Sequence, residues 1–523
     1  MTALRPLVLH LSGINSRGED TGQLHHRVTN QAGIFADDPA IEVQALSWWH
    51  EDAIARACAA SLLVLHPGPF AQFEGLLRSR RRLGRPGIYE IADDYVADTP
   101  WLKVPRRGQV HLQNHWYLAH LSDGVQFSSP GLERRHAILS DRRAVIPNAV
   151  AFPEATRPRP EGLRIGWAGT TSHRADLERI APALAGFVSD HADVRLCLKG
   201  NPDMLADVFA GVPSERLEIE PFGDYDGYRR FLEGLHVGIA PLGPSSFNGG
   251  RSDIKLAEYA AAGAVPLAED APAYRPHAGI VPLFRDPSEL RAHLERLRQD
   301  PAARAKAAQQ AFTAFSAIRS PEAVRKVTKD WYRTFAPGAP GPIPASDPGA
   351  LARQKSLQQA LKMLRNGESA AARSICERLL ADRPGYAQAR FALVEAQARS
   401  GDTDAALETG LTLLDCVAHG DLYRTMRIRH RPDEADTLLA GFQSPWQALL
   451  ATPRGRMPGP ELLRRRLCAN PWDWFALNFR IRETEPASAE AATLRARIAL
   501  STPEQDCRPA VGAGGLHDPA GMP

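Results

Sequence analysis

The residues best placed to do chemistry lie in 247–270, FNGGRSDIKLAEYAAAGAVPLAED. Gly249, Gly250 and Arg251 read as a flexible entry. Ser252 or Asp253 reads as the cap of the helix that follows. Lys255 and Glu258 are three apart, and Lys255 and Tyr259 four apart, so all three share one helix face. Backbone N–H groups at a helix start after glycines attract an anion. A lysine one turn in adds a point charge suited to phosphate. A glutamate at the next position can accept hydrogen bonds from two adjacent ribose hydroxyls. The combination describes a site for a nucleoside diphosphate. The alternative is a capped amphipathic helix with a surface Lys–Glu pair.

Such a helix needs a scaffold. Short continuous apolar runs predict strands at 7–11, 42–46, 61–65, 87–91, 124–127 and 143–146, with helices at 51–60 and 70–83 between them. Uninterrupted apolar strands separated by helices indicate a parallel sheet covered on both faces. A second series follows. Its strands are predicted at 163–167, 194–198, 217–219, 237–240 and 264–268, and its helices at 176–189, 225–235, 253–262 and 287–299. PEATRPRPEG (153–162) and PGAPGPIPASDP (337–348) read as linkers. The pattern then becomes purely helical. Gly367 and Gly401 stand 34 residues apart, as do Ala371 and Ala405, the period of tetratricopeptide repeats. Trp446, Trp472 and Trp474 read as packing anchors in the helical remainder.

The fold class is therefore α/β: two tandem Rossmann-like domains followed by an all-α, tetratricopeptide-like domain. The expected boundaries are 1–152, 163–335 and 350–505, with a disordered tail at 506–523. Two α/β domains in tandem face a common cleft with the carboxyl ends of their strands, where ligands of open sheets bind.

At this point the chain resembles the retaining glycosyltransferases of the GT-B fold, family 4-like. The resemblance covers about 1–335 and is strongest from 163 to 268. It is carried by IGWAGTTSHRADL (165–177), LKGNP (198–202) and GIAPLGPSSFNGGRSDIKLAEYAAAGAVPLA (238–268), supported by YEIADDYVAD (89–98) and VIPNAV (145–150). It implies a first domain for the acceptor and a second for the nucleotide-sugar donor. It implies that Lys255 binds the donor diphosphate and Glu258 the ribose. It also implies that the loop holding Gly169, Ser172 and His173 lies against the diphosphate, with Lys199 near the base or phosphate. Retention of anomeric configuration is implied in the same way. One departure stands out. The family's first acid should lie eight residues before Glu258, where this chain has Gly250. Asn248, Arg251, Ser252 and Asp253 are the nearby groups left to meet the donor, and Asn248, Arg251 and Asp253 the candidates to replace that acid.

Elsewhere, His66 ends an apolar strand and Asp93 and Asp94 follow another, so His66 and Asp93 are candidate catalytic residues facing the cleft, or else a hydrogen-bonded strand-end histidine and a helix cap. The loop 13–22 is a candidate acceptor contact. Asp224-Tyr225-Asp226 is a DxD, read as an N-cap rather than a metal pair. Arg78, Arg80, Arg81, Arg82 and Arg85 form a basic run beside leucines, either a solvated face or a membrane-surface helix. His25, His26, His111, His115 and His120 lack a metal-binding framework, so no metal is expected, and no cofactor beyond the donor. Cys58, Cys197 and Cys376 read as buried reduced thiols.

Lys+Arg 63 against Asp+Glu 60 over 523 residues leaves +3, so nucleic acid is not the default partner. No apolar run reaches the length of a membrane span. The expected place is cytoplasmic, with peripheral contact at the inner face of the plasma membrane open. The expected function is transfer of a sugar from a nucleotide-diphosphate sugar to a glycan or lipid-linked acceptor in cell-envelope polysaccharide synthesis. Two alternatives stand beside it: a protein glycosyltransferase recruiting its acceptor through the repeats, and a catalytically decayed binding scaffold. The repeats equally suit a helical cap on the second domain or a dimer contact.

Overall fold

The computed structural model describes residues 5–13, 22–94, 109–154, 158–345, 347–452 and 459–501, the last stretch without 472, 474, 475, 478, 479, 482 and 483. The expectations for most of the loop 13–22, for Trp472 and Trp474, for the side chain of His111 and for the tail 506–523 fall outside the described residues.

The first sheet contains β1 (Leu7–Ser12), β2 (Glu42–Ser47), β3 (Leu62–Leu65), β4 (Gly87–Ile91), β5 (Gly124–Phe127) and β6 (Arg143–Val145). The second contains β7 (Leu163–Ala168), β8 (Val194–Gly200), β9 (Leu217–Pro221), β10 (Val237–Ala240), β11 (Val265–Glu269) and β12 (Leu283–Phe284). All ladders are parallel, in the orders β2-β1-β3-β4-β5-β6 and β12-β11-β10-β7-β8-β9. Every residue of β1, β3, β4 and β5 is buried, which is why these runs carry no polar alternation. β12, two residues long, shows no pattern to read. Each sheet reverses its order once, between β1 and β3 and between β7 and β10. Loops leaving the carboxyl ends there diverge and open a crevice.

The two units are laced together. Helix Pro321–Arg333 follows the second sheet but packs on the first, where Trp331, Tyr332 and Phe335 join Val8, Leu62 and Ile88 in one apolar cluster. Tyr332 Oη lies 2.8 Å from His10 Nε2, and Trp331 Nε1 donates to Gln126.

The repeat helices are Ala350–Arg365, Ser369–Asp382, Ala387–Arg399 and Thr403–Thr409. Gly367 and Gly401 end the first and third of these at φ +84° and +81°. A residue with a Cβ is strained there, so the 34-residue spacing of glycines is the spacing of identical turns. Trp446 is buried, as expected, with the Arg466 guanidinium over its ring.

The helical region caps the first unit, not the second, which corrects that part of the sequence reading. The turn after β2 offers acids and carbonyls that the repeats answer. Arg353 grips the buried Glu51 with two nitrogens, one at 2.8 Å, and also reaches Asp347 and Asp382. Tyr386 Oη and Gln388 Nε2 donate to the carbonyls of Trp49 and Trp48. Ala418 enters the first unit's core beside Trp48 and Phe73. The basic run is corrected too. Arg80 is fully buried and donates to the carbonyls of Ala57, Ala60 and Pro86. Arg78 is tied to Glu74, Arg81 to the Leu121 carbonyl and Arg85 to those of Cys58 and Ala59. Four of the five guanidiniums thus bond the first unit's own acceptors, while Arg81, Arg82 and Leu83 stay exposed. No described helix is long and apolar enough to cross a membrane.

Arg353→Ala leaves Glu51 buried without its main partner. We expect a loss of roughly 3 kcal/mol, as for other broken buried pairs. Chemical denaturation checks it, and Glu51→Gln combined with Arg353→Met should recover most of the loss. A stable Arg353→Ala would show that the docking does not depend on this pair.

Candidate active site

Residues 247–270 lie at the carboxyl edge of the second sheet, against the first unit. The expected flexible entry is a packed element. Helix Ser246–Gly249, capped by Ser245, brings the Gly249 and Gly250 backbone onto the start of helix Pro130–Arg135. Ser129 Oγ donates to the Gly250 carbonyl at 2.7 Å. A Cβ on Gly131 would collide with the Gly249 carbonyl, and one on Gly250 would lie 2.9 Å from Leu132 and 3.4 Å from the Asp94 Cβ. The missing acid at 250 thus has a steric reason: the first unit fills the space its side chain would take.

Helix Ile254–Ala261 follows. Asp253 stands at its N-cap position but makes no capping bond, which corrects that expectation. Its carboxylate takes hydrogen bonds from His277, at 2.7 Å, and from Arg319. Burial would raise this carboxyl, yet those two partners hold it below the usual range. Ser252 Oγ accepts from Asn148 of the VIPNAV segment at 3.4 Å.

The Lys255 ammonium donates to the Ala168 carbonyl and stands 5.3 Å from the Trp167 ring. Gly169 is required beside it, because a Cβ there would lie 2.6 Å from Trp167 and 3.2 Å from Nζ. Among the described residues no carboxylate lies within ion-pair distance of Nζ. Burial lowers its pKa to about 8, opposed by Glu258 and assisted by Arg251.

Glu258, one turn on, is buried. Tyr228 Oη donates to Oε2 at 2.7 Å, and His26 Nε2 lies 3.2 Å from Oε1. Burial would raise this carboxyl, but His26 and Tyr228 draw it below its ordinary value. The His25 ring stacks on Tyr225 with centroids 3.6 Å apart, and His26 meets the same ring edge-on. Sequence reasoning missed this group. Residue order alone presents His25 and His26 only as candidate metal ligands, and Tyr225 only as the middle of a DxD. Asp224 itself is an N-cap, accepting from Gly227 N at 2.7 Å.

Asp176, also missed, ties the loops of the crevice together. Its Oδ1 accepts from Gly243 N and Asn248 Nδ2, and its Oδ2 lies 2.8 Å from His173 Nδ1. Asn248 is thereby a loop brace, donating also to the Gly243 carbonyl. Burial keeps His173 neutral, with a pKa near 4. The Lys199 ammonium turns to Glu220 at 2.8 Å, and what Lys199 brings to the crevice is its carbonyl, which accepts from Gly169 N.

Arg251 bridges the units. One nitrogen stands 3.5 Å from Asp93, and another donates to Ser172 Oγ at 3.2 Å. Asp93 is thus at the cleft as expected. His66 is at the strand end but fully buried, its Nε2 3.0 Å from His10 Nδ1. Burial, then the charge fields of His10 and Arg27, holds its pKa well below the usual value. The structure therefore gives His66 the interior, hydrogen-bonded role rather than an open face on the cleft. Among the described residues no group of three or more acids, histidines or cysteines is arranged to hold a metal.

A tetratricopeptide repeat family model matches residues 363–425. No curated protein matches the chain. Among solved structures, the chain is similar to HepE of Anabaena in complex with UDP-glucose, at 13% identity over 63% of this chain and 99% of that one, TM-score 0.47. It is similar to TarM at 9% identity, over 52% of this chain and 54% of that one, TM-score 0.43. For the trehalose-6-phosphate synthase OtsA the values are 11%, 63%, 99% and 0.43. At such scores and identities the likeness assigns no activity to this chain.

Gly250→Glu restores an acid at the position eight before Glu258. We expect no gain in function and a loss of about 1–3 kcal/mol, because the side chain is forced into Leu132. Thermal melting of the variant against the parent checks it, and an unchanged midpoint would show that the contact at Gly250 gives way freely.

Proposed function

We propose that this chain is a glycosyltransferase that uses a nucleotide-diphosphate sugar, with the donor on the second unit and the acceptor on the first. The observation that carries the reading is Lys255. Lys255 is half-buried, and among the described residues its ammonium has a carbonyl and an indole ring beside it but no carboxylate in ion-pair distance, so its charge is under-compensated. A diphosphate supplies the missing anion at the start of helix Ile254–Ala261, where backbone N–H groups add to the attraction. Glu258 stands one turn further along for the ribose. Gly169 keeps the loop after β7 low enough for the phosphates to approach Nζ.

In the reaction the bond between the anomeric carbon and the diphosphate oxygen breaks, and its electron pair leaves with the diphosphate. An acceptor hydroxyl oxygen bonds to the anomeric carbon and releases its proton. Negative charge grows on the leaving oxygen, and Lys255 with the nearby N–H groups opposes it without reorganising. Arg251, held between Asp93 and Ser172, adds a second cation at the cleft. Retention of configuration rests on the family resemblance. The acceptor class we propose is a glycan or lipid-linked glycan of cell-envelope polysaccharide. A protein acceptor is the second reading. It is supported by the docking of the repeats on the turn that follows β2, at the same strand-carboxyl edge as the cleft.

The test is a donor screen on the full chain, measuring released nucleoside diphosphate from UDP-, GDP-, ADP- and TDP-sugars. Lys255→Ala should lower turnover on the order of a hundredfold. If the parent turns over none of them, the enzyme reading fails, and if Lys255→Ala and Glu258→Ala match the parent, the site is misplaced. The pH profile gives an independent check. Lys255 is cationic below about 8 and loses its proton above. Donor kcat/KM, which reports the free enzyme, should therefore fall as pH rises through about 8. A profile flat to pH 10 contradicts this role.

A further inference from the structure

We infer that His25 and His26 form a built-in plug in the nucleoside subsite, and that donor binding requires their withdrawal from Tyr225 and Glu258. The inference rests on the glycosyltransferase reading and says which part of the donor each contact takes. A nucleobase binds proteins by stacking on an aromatic ring, and ribose by hydroxyl bonds to a carboxylate. Both partners are present side by side on the second unit. Tyr225 and Tyr228 lie one turn apart on helix Tyr225–Glu233, their rings stacked, and Tyr228 orients Glu258 through the 2.7 Å bond to Oε2. Yet the first unit already fills the pair. The His25 imidazole covers Tyr225 at 3.6 Å and 27°, as a base would. His26 stands 3.2 Å from the other oxygen of Glu258, where a ribose hydroxyl would donate.

The segment is built to move. His25–Thr29 is a π-helical turn, a winding less favourable than α. Its middle residue, Arg27, is anchored, being buried and paired with Glu90 at 2.7 Å. Reverting to α winding ahead of that anchor rotates the preceding side chains by about 100°, the angle per residue of an α-helix. That rotation carries both imidazoles off the second unit. The charged groups facing the pair are Glu258 and, beside Tyr225, Asp226 and Arg229. The contact couples donor entry to the separation of the two units, since the plug and the subsite belong to different sheets.

The test is titration calorimetry of the full chain with UDP, GDP and ADP. The His25→Ala/His26→Ala double variant should bind the preferred nucleotide on the order of tenfold more tightly than the parent, because the competing contact is gone. In that background Tyr225→Ala should lose the gain and Tyr225→Phe should keep it. Equal or weaker binding by the double variant overturns the plug and makes the histidines bystanders or ligand contacts. Absence of binding in both the parent and the double variant overturns the nucleotide reading itself, and the plug with it. Circular dichroism confirms that each variant is folded.

Discussion

One close approach governs the cleft. The Gly249 and Gly250 backbone lies on the capped turn at Ser129–Leu132, held there by Ser129 Oγ on the Gly250 carbonyl. Gly131 has no room for a Cβ, which would strike the Gly249 carbonyl. The contact fixes the start of helix Ile254–Ala261 against the first unit. From there Lys255, Glu258 and Arg251 take their places relative to Asp93, Asn148 and His26. The chain thus exchanges an acidic side chain at 250 for a fixed distance between its two sheets.

Charge at the site is arranged by burial more than by pairing. Among the described residues Lys255 has no carboxylate in contact and is held down to about 8, while Glu258 is held low by His26 and Tyr228. His10, His66 and His173 are kept neutral by desolvation. A crevice with His173 neutral and Lys255 under-compensated favours an incoming anion. Asp176 acts at one remove by holding three loops in place, so its role is positional.

The helical repeats are part of the first unit's packing rather than an appendage. Their arginine grips Glu51, their tyrosine and glutamine satisfy the Trp48 and Trp49 carbonyls, and Ala418 completes a core shared with Trp48 and Phe73. Removing them would uncover that core, so the repeats and the first unit stand or fall together. The same docking sets the repeats at the carboxyl edge of the first sheet, beside the turn after β2.

Much of this was legible in residue order. Strands buried on both faces show as unbroken apolar runs, so Gly87–Ile91, Gly124–Phe127 and Val237–Ala240 appear in the sequence with the bounds they have in the fold. The repeat period appears because each turn needs a left-handed glycine. Lys255, Glu258 and Gly169 are local patterns tied to helix and loop geometry, and they stand together. What order along the chain could not decide is anything made between distant segments. Asp253 looks like a cap until His277 and Arg319 compete for it. Arg80 looks like part of a surface until the carbonyls it satisfies are folded around it. Gly250 looks like a loss until Leu132 is seen in its place, and His25 looks idle until Tyr225 lies beneath it. Short-range periodicity is written by the backbone, whereas the partner of a buried polar group is chosen only when the sheets meet.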